Sequence, residues 1–146
     1  MPSPDDRSDG FSELIGVEYL ELGPDRSRAR LAVTDAVRQP FGIVHGGAFA
    51  ALAESLCSRA THDAVAERGM VALGQANQAT FLRPVAAGYL NAEARSRHRG
   101  RTTWIWDCEL TDDDDRLCAL VRMTIAVRPA EDHRREGARP SEPPTH

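Results

Sequence analysis

The chain contains no lysine: all 18 of its basic residues are arginine, and set against 22 acidic residues they leave a formal charge of -4. A molecule with this balance is not a polycation, so no nucleic-acid partner is expected and any anion binding must come from a local patch. Cysteine is scarce. Cys57, Cys108 and Cys118 are widely separated, odd in number and free of any C-x-x-C pair, which argues against a disulfide framework or a zinc site and for reduced core thiols. No metal site is expected. No apolar run reaches the length of a membrane span, and the opening MPSPDDRSDG has neither the basic start nor the apolar core of a secretion signal. The expectation is a soluble cytoplasmic protein with no membrane partner. Neither a Walker loop nor a G-x-G-x-x-G occurs, so nucleotide hydrolysis and hydride transfer have no support.

What is present fits one domain: 146 residues suffice for a single substantial core. Residues 1–10 are polar with two prolines, and residues 129–146 combine charge and proline with almost no apolar side chains. Both ends are expected to be disordered, leaving an ordered domain over 11–128. FSELIG suits one helical turn before Gly16. VEYLEL and SRARLAV read as two strands joined at Gly23-Pro24-Asp25, with Arg26, Arg28 and Arg30 alternating against Ser27, Ala29 and Leu31. From about Gly46 to Arg68 the period changes to that of a helix, with Phe49, Leu52, Ala53, Leu56, Ala60 and Ala64 on one face and Gly69 placed to end it. Four strand-like runs follow, near 71–82, 88–99, 102–111 and 116–128, and Asp112 to Asp115 reads as a solvated hairpin tip. Two strands, one long helix and four strands imply an α+β fold, an antiparallel sheet of about six strands with a single helix packed on it.

The helix and the turn before it, QPFGIVHGGAFAALAESLCS (residues 39–58), carry the chemistry. Gly46 and Gly47 at a helix mouth expose backbone N–H groups and permit close approach of a ligand, a good place for developing negative charge. Glu54 is the single acid in an apolar segment, where a charge needs a partner or a use. The words Gln39-Pro40-Phe41-Gly42, His45-Gly46-Gly47 and Leu52-Ala53-Glu54-Ser55, with Asn77 to Pro84 and Gly100-Arg101 in support, resemble the hotdog-fold thioesterases of the PaaI type, in the branch with a catalytic glutamate. The resemblance spans about Phe11 to Arg128. It implies a sheet wrapped around the helix and hydrolysis of acyl-thioesters, usually of coenzyme A, with no cofactor beyond the coenzyme A of the substrate. By this resemblance Glu54 is nucleophile or general base, the Gly46 N–H polarises the thioester carbonyl, Gln39 and His45 stand beside that carbonyl or the leaving thiol, and Ser58 positions water. The related branch has Asp and Asn where this chain has Glu54 and Gln39, so the Gln/Glu combination is consistent throughout.

Geometry adds a constraint. Gly46 and Glu54 are eight residues apart, roughly 12 Å along one helix axis, so one carbonyl cannot touch both from the same chain. If both act on the same thioester, a second copy must complete the site, and the resemblance implies the same, with active sites shared across a dimer and dimers pairing into tetramers. Each residue also has a plainer reading: His45 as a helix cap, Gln39 as a brace for the turn, Ser58 as packing, and Glu54 as part of a solvated stripe with Ser55, Ser58 and His62. Arg95, Arg97 and Arg99 are expected on one strand face, and with Arg101 they offer either a solvated strand end or a cationic rim for the phosphates of coenzyme A; Gly47 is a further candidate for binding the substrate. The competing function is a hotdog domain that holds acyl-CoA without turning it over; a hotdog hydratase would need an Asp and His pairing not found here.

Overall fold

Strand alternation decides which face of the sheet is dry. In the computed structural model, which describes residues 10–132, Ser27, Ala29 and Leu31 are buried within the strand Arg26–Ala32 while its arginines occupy the other face. The elements in chain order are α1 (Phe11–Ile15), β1 (Val17–Glu21), β2 (Arg26–Ala32), α2 (Gly46–Val65, continued by a 3-10 turn Ala66–Arg68), β3 (Met70–Phe81), β4 (Tyr89–Arg99), β5 (Thr103–Thr111) and β6 (Leu117–Pro129). They form one antiparallel six-stranded sheet in the order β1-β2-β4-β5-β6-β3. β1 and β3 are its edges, and α2 carries the chain from β2 across to β3. The expected one-helix, six-strand architecture is the observed one.

The dry face is filled by Leu90, Ala92 and Ala94 of β4, Trp104, Trp106, Cys108 and Leu110 of β5, and Val121, Met123, Ile125 and Val127 of β6. Against it α2 buries Phe49, Leu52, Ala53, Leu56, Cys57, Ala60 and Val65. Each fully buried leucine contributes roughly 1.5–3 kcal/mol, so this face holds the helix to the sheet. A polar pin sets its rotation: Trp106 Nε1 donates to Thr61 Oγ1 (2.9 Å), and Thr61 Oγ1 donates to Cys57 O (2.8 Å). Thr61 is fully buried, a role its residue type does not advertise. Gly69, at φ 69, ends the helical stretch as expected. All three cysteines are buried and free, and burial, first of all, pushes the Cys57 thiol well above its ordinary range.

β6 runs to Pro129, and Ala130 N–H donates to Gly69 O (3.0 Å); the ends expected to be disordered, residues 1–10 and 129–146, lie mostly outside the described residues. Two expectations need correction. Asp112 is not a solvated tip residue: it is 7% exposed and is the acceptor that closes its own hairpin. Arg95, Arg97 and Arg99 do not share a face. The pairing of β4 with β5 slips between Ser96 and His98, so Arg95 stands opposite Asp107 on the wet face while Arg99 stands opposite the buried Trp104.

Candidate active site

The entrance to α2 is built by a tight hairpin. Gln39 N–H donates to Ile43 O (2.8 Å) and Gly42 N–H to Gln39 O (2.9 Å), with Gly42 at φ 86. Pro40 fits the second position of such a turn and Gly42 the left-handed one. The returning strand is fixed by His45 N–H to Val37 O and Val44 N–H to Val85 O, both 2.8 Å. His45 is the helix cap: its Nδ1 accepts from Gly47 N–H at 2.8 Å. With Nδ1 accepting, the ring proton belongs on Nε2, an outward donor.

The two glycines have separate reasons. A Cβ on Gly47 would stand 2.9 Å from His45 Nδ1, and one on Gly46 would stand 3.0 Å from the Phe81 ring, which itself packs on Phe49 at 5.8 Å between centroids. Gly47 N–H is thus used by His45. Gly46 N–H has no partner among the described residues, and it points out of the positive end of a 20-residue helix. Gln39 is half-buried, and its side-chain amide has no hydrogen bond among the described residues.

Further along α2, the side chains that avoid the core face the edge strand β3. Asn77 Nδ2 donates to Ala50 O at 3.0 Å and lies 3.5 Å from Glu54 Oε1, while Gly74 comes so close that a Cβ there would touch the Glu54 carboxylate. Glu54 is exposed and borders two shallow depressions. One, of about 330 Å³, holds Ser55, Ser58, His62, Tyr19 and Phe11; the other, of about 500 Å³, holds Ala50, Ala51, Asn77 and Ala79. Ser58 therefore shares a wall with Glu54, one turn away. Ser12 and Ser55 hydroxyls meet at 2.6 Å and tie α1 over this stripe. Gly46 and Glu54 are on one unbroken helix, so the roughly 12 Å between them along its axis stands.

A depression of about 560 Å³, larger than either of these, is elsewhere, lined by Leu22, Pro24, Ala60, Asp63, Arg99 and Trp104 toward the far end of α2. Its charged side chains are already paired, Asp63 with Arg59 (3.1 Å) and Arg99 with Asp25 (2.7 Å), and chemistry rather than volume locates the candidate site. The expected cationic rim is mostly paired: Arg97 lies 3.5 Å from Asp107 and Arg99 2.7 Å from Asp25. The hydrogen bond from Arg122, aided by the charge of Arg97, holds the Asp107 carboxyl below its ordinary value. Arg101 is exposed and has no partner among the described residues. Among those residues no group of three or more His, Cys, Asp or Glu is placed to hold a metal ion, and no helix is long and apolar enough to cross a membrane. Phe81 and Asn77 escape a reading of single residues, although Gly74 inside a strand is a signal for the bulge that turns them inward.

Comparison with known proteins bears on this geometry. The family model described as the thioesterase superfamily matches residues 41–119. The chain is 34% identical over 119 residues to the 1,4-dihydroxy-2-naphthoyl-CoA hydrolase of Listeria monocytogenes, covering 82% of this chain and 96% of that one. A thioesterase crystal structure from Haemophilus influenzae superposes with a TM-score of 0.80 at 32% identity, covering 86% of this chain and 87% of that one. A Staphylococcus aureus thioesterase, 30% identical with a TM-score of 0.78 and covering 81% of this chain and 98% of its own, has been solved in two forms. In one a glutamine and in the other a glutamate is replaced by alanine, at positions fifteen residues apart.

Proposed function

The chain belongs to the thioesterase superfamily and is a thioester hydrolase with the hotdog fold, and from that premise we propose that it cleaves acyl-CoA thioesters, with aromatic acyl groups among them, to the free acid and coenzyme A. In this reading the thioester oxygen accepts the unpartnered Gly46 N–H, where the helix dipole favours the charge that develops on it. Glu54 either attacks the carbonyl carbon, expelling the coenzyme A thiolate and forming an anhydride that water then hydrolyses, or takes a proton from water that attacks directly; Ser58 holds that water, and the water's proton ends on the departing thiolate. His45 presents Nε2–H, and Gln39 its free amide, beside the carbonyl or the thiol. No cofactor is needed. Arg101, the rim arginine with no acid paired to it among the described residues, is the first choice for the phosphates.

The carrying observation is the division of one helix into two halves. Gly46 offers an unused N–H at the start, and Glu54 offers a carboxylate eight residues on, beside an exposed edge strand. On a lone chain the depressions at Glu54 are too open to enclose a thioester, which supports completion by a second copy and dimers that pair into tetramers. The fifteen-residue spacing of the Gln and Glu replaced in the S. aureus protein equals that of Gln39 and Glu54, further support for these two as a working pair.

The test is free-thiol release across a panel of acetyl-, octanoyl- and benzoyl-CoA and acyl-carrier-protein thioesters. Glu54→Ala should keep the oligomer and ligand binding while kcat falls by at least about a hundredfold; unchanged turnover would sink the assignment. Mixing Glu54→Ala with a folded Gly46→Pro variant should restore some activity in hybrid dimers, and inactive hybrids would count against a shared site. Wild-type protein that binds acyl-CoA but releases no thiol would favour the non-catalytic binding module.

A further inference from the structure

Resting on the reading of Glu54 as the working acid, we propose that Asn77 is a positioning residue, whose side-chain amide fixes the Glu54 carboxylate through Oε1 and leaves Oε2 as the reactive oxygen. Strand alternation by itself would not put Asn77 there. The pairing of β3 with β6 slips between Gly74 and Ala76. Before the slip, Ala72 and Gly74 stand opposite the buried Val127 and Ile125; after it, Asn77, Ala79 and Phe81 stand opposite the buried Met123, Val121 and Ala119. Without the bulge Ala76 and Gln78 would face α2, and no side chain of β3 at this level could reach both the helix and its acid.

The row that results, Ala72, Gly74, Asn77, Ala79 and Phe81, contains one polar side chain. A half-buried amide is stable only if its hydrogens are used. Nδ2 donates to Ala50 O at 3.0 Å, and Glu54 Oε1 lies 3.5 Å from the same nitrogen. Both neighbours are acceptors, so the amide oxygen cannot take that place and the orientation of the amide is determined. In an α-helix the carbonyl of Ala50 is also the one that accepts the Glu54 N–H. One amide therefore grips the helical turn and the carboxylate that the turn carries. Among the described residues Asn77 is the sole hydrogen-bond partner of the Glu54 carboxylate. The 3.5 Å separation is long for such a bond, as catalytic contacts often are before substrate binds, and it has room to shorten in the loaded site.

Asn77→Leu keeps the inner row apolar and removes both donors. Its kcat on the best substrate of the acyl-CoA panel should fall about tenfold, with KM unchanged within about twofold and the melting temperature and oligomer retained. In a Glu54→Gln background the same change should lower the remaining turnover no further, because its effect runs through the carboxylate. Full kcat in a folded Asn77→Leu protein overturns the proposal, as does an equal loss in the Glu54→Gln background. If the leucine variant does not fold, Asn77→Ala is read by the same two criteria, and Asn77→Ser, which retains a donor, should recover part of the loss. An active Glu54→Ala protein defeats the functional reading and this role with it. An inactive Glu54→Ala beside a fully active Asn77→Leu defeats the positioning role alone.

Discussion

Two hairpin loops in this molecule are built to one plan and end differently. Gln39 to Ile43 and Asp112 to Arg116 are both three-residue loops in which the first and fifth residues bond across the neck (Gln39 N–H to Ile43 O, 2.8 Å; Asp112 N–H to Arg116 O, 3.1 Å). In both the fourth residue donates to the first carbonyl and is left-handed, Gly42 at φ 86 and Asp115 at φ 58. The first side chain separates them. The Asp112 carboxylate is buried and accepts from Asp114 N–H (2.9 Å), Arg116 N–H (3.0 Å) and Arg116 Nε (2.7 Å). Gln39 is half-buried, with an amide that no described residue holds. A polar group whose capacity is filled locally makes the loop; one left open has capacity to spare, and the proposed function assigns it to a ligand.

The sharpest way to break this contrast is Gln39→Ala. If the amide serves substrate and not the loop, kcat/KM should fall by about a hundredfold while the melting temperature stays within about 1 °C of wild type. The opposite outcome, intact turnover with lost stability, would make the two loops equivalent. Asp112→Ala should invert the pattern, lowering the melting temperature by about 5 °C or more as three donors lose their acceptor, with kcat/KM per folded molecule unchanged within about twofold. Acid gives a second view of the same group. Burial pushes the Asp112 carboxyl up, but the hydrogen bonds from Arg116 and Asp114 outweigh it and hold it below its ordinary value of 3.8. A carboxyl depressed in the folded state contributes fully above that ordinary value and loses its contribution as pH falls through the folded one. Wild type should therefore lose stability more steeply than Asp112→Asn below pH 3.8, as urea midpoints across pH would record.

Much of this was legible in the residues. β2, β5 and β6 each have one dry face, so their alternation announces strand and orientation together, and α2 declares itself by the change of period at Gly46. Gln39, His45, Gly46, Glu54 and Ser58 stood out as a motif, and the helix's own length divided them into two groups. The bulges were hardly legible, with Gly74 inside β3 as the one hint. A register slip is a choice made by backbone pairing, and its consequences fall on residues downstream: Arg99 moves to the inner face beside Trp104, and Asn77 turns toward Glu54. Asp112 was hidden in another way, since four consecutive aspartates look alike in sequence and only the turn decides which one points inward.

The left-handed residues of the two loops supply the finest test. Nothing lies within 4 Å of a Cβ built on Gly42, so Gly42→Ala costs only the conformational penalty, about 1 kcal/mol. Asp115 already bears such a penalty in the matching position, and Asp115→Gly relieves it while loosening the unfolded chain, for a net gain of about 0.5 kcal/mol. The two substitutions should move urea midpoints in opposite directions. Their effects on turnover should not mirror each other, because a shift in the Gly42 loop carries Gln39 with it and a shift in the Asp115 loop carries a carboxylate already held by Asp114 and Arg116. Gly42→Ala should lower kcat beyond its loss of folded protein, and Asp115→Gly should leave kcat untouched. Equal, small effects of both on kcat would mean that the Gln39 loop supports the helix start and nothing more.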